Sequence, residues 1–173
     1  MANTTFDGPV RSKNGFINLG PGMTKSLTAD TTLSVQEHAG RILLLNDADG
    51  KFTLPSIVTT ADSAVAGPGS DPNNLNNIGA SFYFYVETLA TDLDIKTDGT
   101  DKFKGAILIG VDDGAKKAFV PAATNDVITM NGSTKGGIAG SIISFTAIDT
   151  ATYMVHNSLL IGSGTIVTPY ADA

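Results

Sequence analysis

The sequence predicts an all-β protein: an antiparallel β-sandwich or barrel, jelly-roll-like in plan, with an extended N-terminal arm. Three observations predict it. The 173 residues hold fifteen Asp but two Glu, beside 21 Thr and 19 Gly. Asp and Gly favour turns and Thr favours strands, whereas the Glu, Lys and Arg that coat helices are few. Short apolar or alternating runs recur at spacings of about 8–14 residues between Gly, Asn, Asp and Pro clusters, the rhythm of an antiparallel sandwich or barrel. No internal repeat of about 20–50 residues is evident, which disfavours solenoids and propellers.

Residues 1–27 form the expected arm. They are rich in Gly, Asn, Thr and Ser, with scattered apolar residues including Phe6, Val10, Phe16 and Ile17. Asp7 stands against Arg11, Lys13 and Lys25, so the arm carries +2 and residues 28–173, with eight basic and sixteen acidic residues, carry −8. A terminus of this composition is commonly a loose tail. Its aromatic and aliphatic residues suit a segment that lies on a partner.

The body, 28–173, reads as strands between turns. Leu33–Val35 is short and half-apolar, and 34–39 and 58–66 are the only helical candidates. Arg41–Leu45 is a continuous apolar run, Asn46–Gly50 a dense turn signal, and Lys51–Leu54 an alternating run that stops at Pro55. Together they predict a hairpin over 41–54. Residues 61–79 form a long Gly/Pro/Asn loop, above the usual length for a compact domain. Ala80–Val86 is the strongest strand, with Phe82, Phe84 and Val86 on one face and Tyr83 and Tyr85 on the other. Further strands follow around 93–96, 106–109, 118–120 and 126–130, the last running into Asn131-Gly132, a tight-turn dipeptide. Ser141–Ile148 and Thr152–His156, split by Asp149-Thr150, predict a second hairpin, and Leu159–Pro169 ends the chain.

Composition also excludes chemistry. The chain has no Cys, hence no disulfide, zinc–thiolate site, iron–sulfur cluster or thiol nucleophile. No apolar run approaches the ~20 residues of a membrane helix, and Met1–Thr5 lacks the basic-then-apolar start of a signal peptide. A net charge of −6 argues against nucleic acid as a partner.

The catalytic patterns fail in turn. His38 stands at a turn and His156 ends a strand, and neither lies near a Gly-x-Ser-x-Gly elbow, which is absent. Asp47, Asp49, Asp98, Asp112 and Asp113 stand beside Gly, Asn or another Asp, where Asp bonds its local backbone. Catalytic carboxylates sit more often among apolar groups that shift their pKa. Asp94–Gly99 mimics the start of an EF-hand, but Lys96 occupies a ligand position and Gly105 stands where the bidentate Glu is required. A looser cation site from Asp92, Asp94, Asp98 and Asp101 is the remaining metal candidate. Gly162-Ser163-Gly164 does not complete a phosphate-binding G-x-G-x-x-G. No cofactor is expected, and the reading is non-enzymatic.

Leu33–Leu45 followed by Lys51–Pro55 resembles a recurrent pattern in tailed-bacteriophage structural proteins. There a Gly turn leads to an apolar strand, a Gly/Asp turn, and a strand ending in Leu-Pro. Gly79 with Phe82–Val86 resembles its aromatic-rich strand, and Gly162–Tyr170 its Gly-x-Gly…Thr-Pro-aromatic ending. Met1–Phe16 is similar to the start of small virion proteins of marine and cyanobacterial phages. One position departs: Tyr153 stands where the pattern has Trp. The resemblance implies a capsid decoration (cement) protein on the outer surface of the virion, a homotrimer whose partner is the major capsid protein. In that role Phe6, Val10, Phe16 and Ile17 would fill apolar grooves of the capsid, and Arg11, Lys13 and Lys25 would meet its acidic surface. The alternative is a host-facing, glycan-binding module of a head or tail fibre, reading sugars through loop 61–79 or through Tyr83 and Tyr85.

Overall fold

A computed structural model describes residues 20–59, 76–112, 114 and 116–173. Among them nearly all regular structure is β. The strands are β1 (Thr24–Leu27), β2 (Thr31–Thr32), β3 (Ile42–Leu45), β4 (Lys51–Thr53), β5 (Ser81–Val86), β6 (Leu93–Lys96), β7 (Lys102–Lys104), β8 (Ile107–Val111), β9 (Lys116–Phe119), β10 (Val127–Met130), β11 (Ile142–Asp149), β12 (Thr152–Gly162) and β13 (Tyr170–Ala171). One helical turn, α1 (Val35–His38), realises the 34–39 candidate, capped by the Ser34 hydroxyl accepting from the Glu37 N–H. Of the 58–66 candidate, Val58 and Thr59 are not helical and the rest lies outside the described residues. No described helix is long and apolar enough to cross a membrane.

The strands form two mixed sheets. The larger runs β1-β3-β5-β11-β12-β8-β9, with β7 also paired to β12; the smaller runs β13-β10-β6-β4-β2. Neither closes on itself, so the barrel alternative is not realised. One apolar cluster draws on both, with Leu43, Phe84, Phe145 and Ile109 from the larger sheet beside Phe52, Ile95, Ile128 and Met130 from the smaller. Phe84 meets Phe145 edge-on at 5.7 Å, and Phe103 lies 5.1 Å from Phe145. Such pairs add about 0.5–1.5 kcal/mol beyond area burial.

Pairing corrects the purely antiparallel expectation. β1, β3 and β5 are parallel neighbours in one sheet, and β2, β4 and β6 are parallel neighbours in the other. The first half of the chain therefore coils, alternating between sheets for three turns, and departs from the antiparallel plan of a jelly roll. The hairpin expected over 41–54 is not formed, because β3 and β4 belong to different sheets. The Asn/Asp cluster between them is a corner whose bonds run sideways to the adjacent turns of the coil. The Asn46 N–H donates to the Leu27 carbonyl at 2.9 Å and its amide donates to Glu87 at 2.6 Å. The Ala48 carbonyl accepts from the Thr91 and Asp92 N–H groups. The hairpin expected between Ser141–Ile148 and Thr152–His156 is β11–β12.

The boundary of the expected arm also shifts. β1 is the edge strand of the larger sheet, in register Thr24–Ile42 to Leu27–Leu45, and Leu27 is in the core. Residues 24–27 thus belong to the folded body.

Candidate functional site

Of the residues expected to contact a partner, Phe6, Val10, Arg11, Lys13, Phe16 and Ile17 lie outside the described residues. Lys25 lies on β1, its ammonium 2.9 Å from Glu37 of α1. That pair lowers the Glu37 carboxyl pKa, chiefly through the hydrogen bond and charge of Lys25. The Lys25 charge is thus engaged within the body.

The acidic residues do not converge. Lys51 bridges Asp92 and Asp94, each at 3.0 Å. Asp98 turns its own loop, accepting from the Thr100 and Asp101 N–H groups. Asp101 is buried and accepts from the Ile57 N–H, 44 residues away in sequence. Burial holds its carboxyl above the usual range. The cation site imagined from these four Asp is therefore dispersed into structural roles, and no metal-ligating cluster occurs among the described residues.

The two histidines occupy different settings. His38 is buried, and its Nδ1 accepts from the Ser34 N–H at 3.0 Å. The same Nδ1 lies 3.2 Å from the Ser34 carbonyl, and Nε2 is buried without a partner. His156 lies on β12, where the Asn157 amide contacts its Nδ1 at 3.1 Å and its Nε2 lies 2.8 Å from the Thr146 hydroxyl. Thr146 in turn is 2.7 Å from the Ser81 hydroxyl. The donor and acceptor roles along this His156–Thr146–Ser81 chain depend on the imidazole tautomer, and no carboxylate is among these contacts. Asp149 instead turns the β11–β12 hairpin through the Ala151 N–H.

What the structure does bring together is an apolar face. The five-stranded sheet presents Lys51, Thr53, Asp94, Lys96 and Thr129 away from the core, the ordinary solution for a solvated sheet. The eight-stranded sheet does the opposite. Register places Ser26, Leu44, Tyr85, Ile142, Leu159, Leu108 and Ala118 in one row across seven strands. The adjoining row holds Thr24, Ile42, Tyr83, Ser144 and His156. Tyr83 and His156 meet edge-to-face at 6.4 Å across Ser144, which is buried between them. A groove of about 610 Å³ opens here, lined mainly by Ile42, Tyr83, Tyr85, Ile142, Asn157 and Leu159.

A β-bulge makes this arrangement. Ile142 pairs with Leu159 but Ser144 pairs with His156, so β12 carries one extra residue. Asn157 absorbs it at φ 45°, the left-handed region that Asn tolerates better than most side chains. The extra residue reverses the in–out alternation, sending Leu159 outward and Leu160 into the core. The Tyr83/Tyr85 stripe of this face was readable from alternation in β5. Ile42, Ile142 and Leu159 were not, since each lies in a run whose period is continuous or broken.

Comparison with protein-family models, with curated proteins and with solved structures finds no match for the chain.

Proposed function

We propose that the chain is a non-enzymatic structural protein of a tailed-phage virion, a decoration protein that binds the outer surface of the major capsid shell as a homotrimer. In this reading the two sheets are the layers of a sandwich, and the N-terminal segment reaches over neighbouring capsid subunits. Phe6, Val10, Phe16 and Ile17 supply apolar anchors there, and Arg11 and Lys13 supply positive charge. The sequence patterns supply the family. The observation that carries the reading is the apolar outer face of the eight-stranded sheet, a surface suited to protein contact. The described acidic and imidazole groups support the same reading, because their partners are structural.

The test compares the full chain with residues 20–173 on expanded, undecorated phage heads. The cut falls before β1, because removal of Leu27 would open the core. The full chain is expected to co-sediment saturably and the truncated one to be lost while retaining its β circular dichroism. Each anchor truncation is expected to weaken binding by about 1–3 kcal/mol, multiplied by valency. Equal retention of both chains would rule out the segment as the anchor.

A fibre-borne glycan module is the second reading. Tyr83 and Tyr85 face outward beside Ser144, Asn157 and Ser158, an aromatic surface with polar neighbours. A glycan-array signal removed by Tyr83→Ala, without binding to heads, would favour it.

A further inference from the structure

The outer face of the eight-stranded sheet needs a cover. Ile42, Tyr83, Tyr85, Leu108, Ile142, Met154 and Leu159 are each between 37% and 45% exposed. At about 200 Å² per fully exposed large side chain, they present on the order of 500 Å² of contiguous apolar surface. That is at the upper end of what a monomer leaves open. It also matches the apolar share of one side of a standard protein interface, about 60% of about 800 Å².

Charge decides the occupant. The chain carries −6, so two copies repel wherever their acidic corners approach. None of the seven side chains is charged. Six of them lie in two rows that hold no Asp, Glu, Lys or Arg, one crossing from β1 to β9 and the other from β1 to β12, and the seventh, Met154, lies in a further row beside Lys104 of β7. The outer face of the five-stranded sheet, by contrast, carries Lys51, Asp94 and Lys96. The larger sheet therefore offers like-charged copies a place to meet without burying an unpaired charge, which would cost several kcal/mol.

We propose that this face packs against the same face of further copies of the chain, so that these side chains form the shared core of the homo-oligomer. The inference rests on the self-assembly part of the reading above and is independent of capsid binding. Tyr83 and Tyr85 supply rigid, amphipathic contact area. The groove opened by the Asn157 bulge gives the flat sheet a recess for a neighbour's side chain.

Sedimentation velocity of the full chain over about 1–100 µM tests it. The wild-type protein is expected to sediment as an oligomer. Tyr85→Glu and Leu159→Lys are expected to weaken self-association at least about 100-fold while keeping the wild-type circular dichroism. Because the protein has no cysteine, a Leu159→Cys variant adds a readout that does not depend on disrupting the face. A bismaleimide should join copies through position 159 and fail with Lys96→Cys on the other sheet. A wild-type monomer throughout this range overturns the proposal, whether a sugar or the chain's own N-terminal segment covers the face. So does an oligomer cross-linked through 96 and not 159. Binding of the same samples to expanded heads separates the two readings. A monomer that binds heads leaves decoration standing without this interface, and an oligomer that ignores them leaves the interface standing without decoration.

Discussion

At the residue scale, the acidic side chains act chiefly as scaffold. The local roles were readable: Asp98 and Asp149 accept from backbone N–H groups two or three residues on, as Asp beside Gly or Thr commonly does. The long-range roles were not. Asp126 pairs with Lys102 at 2.6 Å and accepts from the Ala173 N–H, tying the C-terminal residues to the β6–β10 region. Nothing in the residues around 126 announces partners 24 and 47 positions away. His38 is the residue with a measurable pH consequence. Burial pulls its pKa below the ordinary value, with Lys25 adding repulsion, against the smaller opposing effects of Ser34 and Glu37; Arg41 adds further repulsion. The unfolded chain takes up this proton near pH 6.5 while the folded chain resists it, so this contribution to stability falls as pH drops below about 6.5. The melting temperature should decline from about pH 7 to pH 5 more steeply in the wild type than in His38→Gln. Parallel slopes for the two proteins would refute the assignment.

At the element scale, inward and outward positions were legible where alternation is clean and obscured where a strand is irregular. In β5 the sequence reading placed Phe82, Phe84 and Val86 on one face and Tyr83 and Tyr85 on the other. The structure makes the first face core and the second solvent. β12 was read as two separate runs, yet it is one eleven-residue strand, because the Asn157 bulge lets it change parity without breaking. The coil was hidden for a different reason. β1, β3 and β5 begin at 24, 42 and 81. The unequal spacing, with 54–80 inserted before the third turn, removes any sequence period. The ends of that insertion are clamped: the buried Asn77 accepts from the Val58 N–H at 2.8 Å and donates to the Ser56 carbonyl at 2.7 Å. Asn77→Ala should cost about 1–3 kcal/mol. At the bulge, Asn157→Gly should preserve stability, whereas Asn157→Val should cost about 1–3 kcal/mol, since a β-branched side chain is strained at positive φ. Urea unfolding measures all three, and an unperturbed Asn157→Val would show that the bulge is not strained.

At the scale of the whole molecule, polarity is divided between two surfaces. The outer face of the smaller sheet carries Lys51, Asp94 and Lys96, and the outer face of the larger sheet carries the two apolar rows, with Lys25 and Lys102 of that sheet paired to Glu37 and Asp126. The charge boundary moves with the fold. Residues 1–19 carry two basic and one acidic residue, +1, and residues 20–173 carry nine and sixteen, −7. The sequence pointed to a sign change near the N-terminus, and β1 sets its limit, because Lys25 is a body residue paired with Glu37. The proposed decoration role rests on this division: an acidic body whose larger sheet presents two charge-free apolar rows. The most direct test of the proposed decoration role is quantitative mass spectrometry of virions purified from a phage that encodes this chain. The account predicts the chain in amounts comparable with the major capsid protein and in a fixed ratio to it. The few copies expected of a fibre component, or absence from the virion, would contradict it.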